Sequence, residues 1–288
     1  MEKLYYLDRY MKEFTAEILD IKEIEGEFHV VLDKSAFFPG GGGQPGDTGF
    51  IENNKVIDVY EENGTLYHVV EKKPLKIHRV KCKIDWEKRF DGMQQHLGQH
   101  VLSGCFYTLF NANTVSVHVG KEISTVDIQG YLDEETIRKA EKMANEIIQE
   151  NIKVEFLTPS KKELKKIKIR RDLPNTDEQI RIVKIGDLDI NACCGVHPSR
   201  TLDIQAIKIK RWEKHKGATR IEYLAGKRAI NDYFKKDEFR NRICRFLNCG
   251  EDDAINSINK LSNDLKNLLD ENRQIKSEIG EYQIKDMI

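Results

Sequence analysis

No stretch of the chain approaches the roughly 20 consecutive apolar residues that a membrane-spanning helix needs. The opening residues MEKLYYLDRYMKEF also lack the unbroken apolar core of a secretion signal. Membrane and exported classes are therefore set aside, and a cytoplasmic protein with reduced thiols is expected for the six cysteines, Cys82, Cys105, Cys193, Cys194, Cys244 and Cys249. Net charge is almost absent as well: 47 Lys and Arg against 48 Asp and Glu leave −1, which excludes a uniformly basic protein that coats nucleic acid. Two familiar signatures are missing. The glycine run at 40–43 is not followed by Gly-Lys-Ser/Thr, so it is no nucleoside-triphosphate loop, and Leu97 stands where an HExxH peptidase carries its glutamate.

What is present begins with four side chains. His96 and His100 lie in His96-Leu-Gly-Gln-His100, and Cys193 and His197 in Cys193-Cys-Gly-Val-His197. Each pair sets two donors four residues apart, a spacing that on a helix brings both to one face. One such pair arises easily by chance, but two of them supply the imidazole and thiolate set that suits Zn²⁺, one ion per chain.

Charge is unevenly spread. Residues 161–171 (KKELKKIKIRR) carry seven Lys and Arg against one Glu, and residues 207–220 (IKIKRWEKHKGATR) carry six against one. Basic patches on a neutral chain suit a partner with a phosphate backbone, bound over a limited area. The competing interpretation of each run is a solvated helix or strand face.

At 288 residues the chain has room for about two domains. The expected fold class is α+β. Residues 1–90 predict a small β-barrel: Phe14, Ala16 and Ile18 alternate with polar neighbours, 28–32 forms another strand, and the turn Pro39–Gly46 leads into strands at 49–51 and 55–60. Met93, Leu97, Val101, Leu102 and Cys105 then recur at helical spacing over 91–110, with Asp91 as N-cap. Strands follow at 114–119 and 123–128, then a helix from Leu132 to about Asn151 capped by Asp133 or Thr136. Further strands are expected at 180–184, 188–190, 204–209 and 220–224, so 91–230 is a zinc-containing α+β domain.

Residues 231–288 are helical. After a helix over 232–248, Ala254, Ile258, Leu261, Leu265, Leu268, Asn272, Ile275, Ile279 and Tyr282 alternate steps of four and three, the seam of a coiled coil. Asn272 falls at an a position, where a buried amide fixes register. A helix of this kind gains its stability from a partner surface, and a homodimer through the segment is expected.

MQQHLGQHVLS (93–103), INACCGVHPSR (190–200) and FFPGGGGQPGDTG (37–49) together resemble the alanyl-tRNA editing proteins, the AlaX family, free-standing relatives of the editing domain of alanyl-tRNA synthetase. WEKHKGATRIEYLAGKRA (212–229) resembles the strand after their zinc motif. The resemblance covers most of residues 1–230. It implies hydrolysis in trans of tRNA(Ala) mischarged with serine or glycine, with zinc on His96, His100, Cys193 and His197. It leaves open whether the metal is catalytic, substrate-orienting or structural, and the alternative is a tRNA-binding module with a purely structural zinc. Two positions depart from the synthetase pattern Cys-Gly-Gly-Thr-His: Cys194 and Val196 replace glycine and threonine. Cys194 could exchange with Cys193 as ligand, although spacing favours Cys193.

Within that framework Gln44, Thr114 and Ser116 are candidate catalytic side chains. Contacts to tRNA are expected from Gly41, Gly42, Gly43 and Gln44, and from Lys208, Lys210, Arg211, Lys214, Lys216 and Arg220. Gln94 and Gln95 are either helix surface or pocket lining. His118 is expected as an ordinary strand residue, and His68, His78 and His215 have no partner pattern.

Overall fold

The computed structural model describes residues 1–74, 78–171, 173 and 179–286. They form two compact units, Met1–Ile230 and Asn231–Ile288. The first opens with β1 (Glu2–Lys3), the single helical turn α1 (Leu4–Leu7), β2 (Glu13–Ile24), β3 (Glu27–Leu32), β4 (Lys34–Ser35), β5 (Gly49–Ile51), β6 (Asn54–Glu62), β7 (Thr65–Val70) and β8 (Arg79–Ile84). β1 pairs in parallel with β4, and the strands β2-β3-β7-β6-β5-β8 close on themselves in that order. β7 and β8 are additional to the strands expected from sequence. β8 nonetheless shows strict period-two burial, with Val80, Cys82 and Ile84 inside and Arg79, Lys81 and Lys83 outside. Its basic residues dilute the local hydrophobicity without breaking the alternation.

Helix α2 (Trp86–Phe110) begins earlier than sequence spacing suggests. The Asp85 carboxylate accepts from Lys88 N–H and caps it, with Glu87 in the first turn. Asp91, the expected cap, lies inside the helix, where its carboxylate is taken by Arg228 at 2.8 Å. At the far end Asn111 turns left-handed, with φ 54°, and closes the helix. α2 links two cores. Met93 joins the barrel core with Phe37, Phe38 and Val196, whereas Leu97, Val101, Leu102, Cys105 and Phe106 belong to the second core.

That second core lies among β9 (Thr114–Val119), β10 (Ser124–Gln129), α3 (Glu134–Gln149), β11 (Val154–Leu157), the short α4 (Lys161–Leu164), β12 (Ile182–Ile185), β13 (Asp189–Ala192), β14 (Ile207–His215) and β15 (Ala218–Ala225). Asp133, not Thr136, caps α3, accepting from the Thr136 amide. Two antiparallel sheets result, β14-β15-β10-β9 and β11-β12-β13. The first presents Val126, Ile128, Ile221 and Tyr223 to α2, and Ile137, Ala140, Ala144 and Ile148 of α3 complete the layer. Together the elements make a mixed α+β structure.

α5 (Lys227–Leu247) leads into the second unit, which also holds α6 (Ala254–Asp286). α6 carries every residue of the heptad series. Ile258, Leu261, Leu265, Leu268, Ile275 and Ile279 are exposed on it, at 45–61% of their surface. Among the described residues, no helix is long and apolar enough to cross a membrane.

Candidate metal centre

His96 and His100 sit one turn apart on α2, and Cys193 follows directly after β13 in a loop that returns His197 to the same point. One donor atom from each of the four lies within 4.8 Å of all the others. The Cys193 sulfur is 3.5 Å from His96 Nε2 and 3.7 Å from His197 Nε2. The His96 and His197 ring centroids are 4.4 Å apart, and His100 and His197 are 4.9 Å apart. All three imidazoles are buried.

Hydrogen bonds behind the quartet decide which nitrogens face it. Gln44 Oε1 accepts from the Val196 backbone N–H at 3.0 Å. An amide N–H can only donate, so this atom is the oxygen, and His96 Nδ1, 3.1 Å away, must be the donor to it. In its neutral form His96 therefore turns the lone pair of Nε2 toward Cys193. His100 Nδ1 donates in the same way to Asp189 Oδ2 at 2.7 Å. Asp189 is in turn held by Arg170 Nε at 2.7 Å and Asn191 Nδ2 at 2.5 Å. Ligand imidazoles in metal sites are commonly oriented by such outer partners. His100 Nε2 and His197 Nδ1 are buried and have no hydrogen-bond partner among the described residues, an arrangement costly to leave unfilled. The donor set, the fixed ring orientations and the unfilled His100 Nε2 fit a cation.

At Cys193 the electrostatics point the same way. Burial pushes the Cys193 thiol up, yet the imidazoles of His96 and His197 outweigh it and hold the sulfur well below its ordinary range. Burial would also depress His100, but Asp189 and the neighbouring sulfur raise it to about 9. Burial dominates at His197 and lowers it to about 3. Burial raises the Asp189 carboxyl, and His100 and Arg170 more than offset that, so it sits below the usual carboxylate range.

Two further side chains hold the second ligand loop. Tyr6 Oη donates to the Cys194 carbonyl at 2.7 Å, and Arg181 donates to the Gly195 carbonyl at 2.6 Å. The Arg181 guanidinium also lies 4.6 Å from the ring centroids of both Tyr6 and Phe156. Gly195 is dictated by packing, since a Cβ there would overlap the His96 ring. The glycine-rich loop covers the other side. Gly42 has φ +62°, and a Cβ on it would come 3.1 Å from His96 Cε1. The neck of this loop is closed by Asp47, which accepts from the Phe38 amide at 2.7 Å and from the fully buried Arg89 Nε at 2.9 Å.

In front of the quartet opens a cleft of about 630 Å³. Its walls include His96, His100 and Cys193, with Gln99, Asn191 and the cations Lys3, Arg170, Arg171 and Arg181. An anionic or strongly polar molecule could reach the metal centre through it.

The four expected ligands are thus brought together. Cys193 is the sulfur among them, whereas Cys194 is exposed and its sulfur lies against Gly41 and Gly42. Val196, where the synthetase pattern has threonine, is fully buried in the barrel core. Gln44 is buried behind His96 and is absent from the cleft wall, while Gly42 reaches it. Thr114 is also buried, donating to Ser103 Oγ at 2.7 Å and accepting from Arg170 at 3.2 Å. Ser116 donates to Asp127 at 2.6 Å, away from the cleft. Gln94 and Gln95 are neither surface nor cleft lining. Gln95 brackets the backbone of Ala225 through both amide atoms, and Gln94 donates to the Asp203 carbonyl. His118 is exposed and outside the quartet.

The basic strand run is largely engaged within the fold. Lys208 pairs with Glu141 at 3.0 Å, Arg211 with Glu222 at 2.8 Å and Arg220 with Asp127 at 2.8 Å. Lys214 lies over the Tyr131 ring, and Lys216 is exposed in the β14–β15 turn. Sequence reasoning missed Asp189, Arg181, Tyr6 and the Arg89–Asp47 pair. Only Asp189 carried a signal, four residues before Cys193 in a short alternating strand; the others are distant in sequence from anything they hold.

Comparisons with known proteins follow the same outline. Residues 180–222 match the family described as threonyl and alanyl tRNA synthetase second additional domain. Residues 4–88 match tRNA synthetases class II (A). Alanyl-tRNA editing protein AlaX-L of Pyrococcus horikoshii is 33% identical over all of this chain and 74% of its own length. Alanyl-tRNA editing protein Aarsd1 of Mus musculus is 32% identical over 90% of this chain and 67% of its own. An alanine–tRNA ligase of Halobacterium salinarum is 36% identical over 80% of this chain but only 26% of the ligase.

Proposed function

The chain belongs to the alanyl-tRNA editing protein family, and from that membership we propose that it is a zinc-dependent hydrolase that removes serine or glycine from mischarged tRNA(Ala) in trans. The observation that carries this reading is the quartet itself. His96 and His100 are set by Gln44 and Asp189 to offer Nε2 beside the Cys193 sulfur, at the foot of a cleft lined with cations.

The substrate is an ester between an amino acid and a ribose hydroxyl. Water adds to the ester carbonyl, the bond to the ribose oxygen breaks, and a proton moves to that oxygen, leaving free amino acid and uncharged tRNA. His96, His100, Cys193 and His197 would hold the ion, and their mixture of imidazole and thiolate suits Zn²⁺. When bound, zinc supplies Lewis-acid polarisation of a carbonyl or of water. The chain's own contribution is placement. Gln44 and Asp189 fix the two helix imidazoles, and Tyr6 and Arg181 fix the loop bearing Cys193 and His197. Gln99 lies on the cleft wall with its Nε2 spent on Ser103, which leaves its amide oxygen for the aminoacyl group, whereas both ends of the Asn191 amide are committed to Asp189 and Arg171. A polar acceptor of this kind can reward a serine hydroxyl and leave alanine unrewarded, whereas an apolar pocket separates near-isosteres poorly.

The heptad face of α6 supports a homodimer through residues 254–282, with Asn272 setting register. The cytoplasm, where aminoacyl-tRNA is consumed, is the proposed location; the six cysteines form no disulfide.

The test is hydrolysis of Ser-, Gly- and Ala-tRNA(Ala) measured side by side. Turnover of the first two, sparing of the third and loss of turnover in Cys193→Ala are expected. Undiminished hydrolysis by a metal-free His96→Ala/His100→Ala variant would remove zinc from the reading. Salt-sensitive tRNA binding with no turnover would leave a binding module.

A further inference from the structure

Two basic runs compete for the phosphates of an RNA, and they differ in how much of their charge is free. In residues 207–220, Lys208, Arg211 and Arg220 are each paired with a carboxylate of the fold. Their charge is compensated before any partner arrives. Residues 161–171 are arranged differently. Lys161, Lys162, Lys165, Lys166 and Lys168 are exposed, while Leu164, Ile167 and Ile169 are half-buried. None of these five lysines forms an ion pair with a described residue. The run's single acid, Glu163, is spent on Ser160, whose hydroxyl and backbone N–H it accepts at 2.7 and 2.9 Å.

The run also ends at the metal centre. The Arg170 backbone amide donates to the Ile190 carbonyl at 3.1 Å, and its guanidinium grips Asp189, the carboxylate that orients His100. Arg171 is exposed on the cleft wall, its backbone held by Asn191 Oδ1 at 3.1 Å. From Lys168 to Arg171 is three residues, at most about 11 Å of chain. A row of lysines with no carboxylate partner among the described residues therefore leads to the mouth of the cleft.

We propose that residues 161–171, and not the strand run 207–220, form the phosphate-binding surface that delivers the end of an RNA chain into the cleft, with Lys165, Lys166, Lys168 and Arg171 as its contacts. The proposal rests on the editing function above for the identity of the RNA, but its chemistry is that of any phosphate backbone. Lysines act as point charges without sequence preference, so they set affinity and salt dependence and leave amino-acid choice to the cleft. Arg170, committed to Asp189, positions the run's end and is not counted among the contacts.

The test uses the full chain and uncharged tRNA(Ala), with dissociation constants measured across a series of salt concentrations. One variant carries Lys165→Gln, Lys166→Gln, Lys168→Gln and Arg171→Gln; the other carries Lys208→Gln, Arg211→Gln and Lys214→Gln. The first should bind at least about tenfold more weakly, with a log–log salt slope shallower by roughly one for each phosphate no longer neutralised. The second should keep the wild-type slope. Circular dichroism and thermal melting confirm that both are folded. Equal weakening in both variants, or weakening only in the second, overturns the proposal. If the wild type binds tRNA and the first variant does not, yet no ester is cleaved, the surface stands and the editing function falls. If the wild type does not bind tRNA at all, both fall.

Discussion

Gln44 and His96, 52 residues apart, are joined by a 3.1 Å hydrogen bond that couples the barrel loop to the metal helix. The same amide oxygen accepts from Val196 N–H in the second ligand loop, so one side chain registers both halves of the quartet. Gln44→Ala should leave His96 free to rotate and the Val196 amide without a partner. Metal affinity should fall about 10- to 100-fold, the usual effect of losing an outer partner of a ligand. Gln44→Glu keeps both acceptor positions and should restore most of the affinity. Competition for zinc against a chelator of known affinity measures all three proteins. Equal affinities would show that Gln44 only fills space.

Gly195 tests the packing side of the same arrangement. A methyl group there would overlap the His96 ring, and no flexible tip is available to yield. Gly195→Ala should therefore weaken metal binding while leaving the barrel core intact, because the displaced ring lies outside that core. Metal content per chain, measured beside thermal melting of the metal-free protein, separates the two effects. Full metal loading at wild-type affinity would refute the steric argument.

The quartet was legible from sequence because both pairs are local, four residues apart, and each donor type announces its chemistry. The amphipathic helices were legible for a similar reason: period and caps are written in neighbouring residues. What supports the quartet was not. Gln44 comes from the glycine-rich loop, Arg181 from the position just before β12 and Tyr6 from the first helical turn, and no local pattern links them. The basic run 207–220 is the converse case. Its charges are plain in sequence, but the carboxylate partners of Lys208, Arg211 and Arg220 on α3, β15 and β10 are not, so part of the charge that reads as available is compensated. The start of α2 illustrates a competition between two good caps: Asp85 and Asp91 both qualify locally, and Arg228, distant in sequence, occupies the latter.

Arg89 and Asp47 form a buried ion pair that closes the neck of the glycine-rich loop. Removing one partner strands the other in a dry site. Arg89→Leu should cost about 3–5 kcal/mol of stability, far above the effect of an exposed pair. Asp47→Asn/Arg89→Leu should recover part of that loss, since no uncompensated charge remains. Denaturant unfolding of the metal-free protein, with m-values compared, checks the order of the three stabilities. A single-variant loss below about 1 kcal/mol would mean that water reaches the site.

His68 supplies a pH dependence unrelated to the metal. Its ring is fully buried in the barrel, with Nδ1 donating to the Val30 carbonyl at 2.9 Å and Nε2 accepting from the Ser35 hydroxyl at 2.8 Å. Both contacts suit the neutral ring, and burial lowers its pKa from 6.5 to about 4. Between those values the unfolded chain carries a proton on His68 that the folded chain does not, so stability rises with pH across the window. The contribution is complete above about pH 6.5, declines as pH falls toward 4 and is level below. At about 1.4 kcal/mol per pH unit it amounts to roughly 3 kcal/mol. Other groups titrate in the same range, so the useful quantity is the difference between the wild type and His68→Gln, which carries no titrating ring. That difference should shrink by about this amount from pH 7 to pH 4 in denaturant titrations. Parallel stability curves for the two proteins would show that the buried ring takes up its proton without cost, contrary to the hydrogen bonds that hold it neutral.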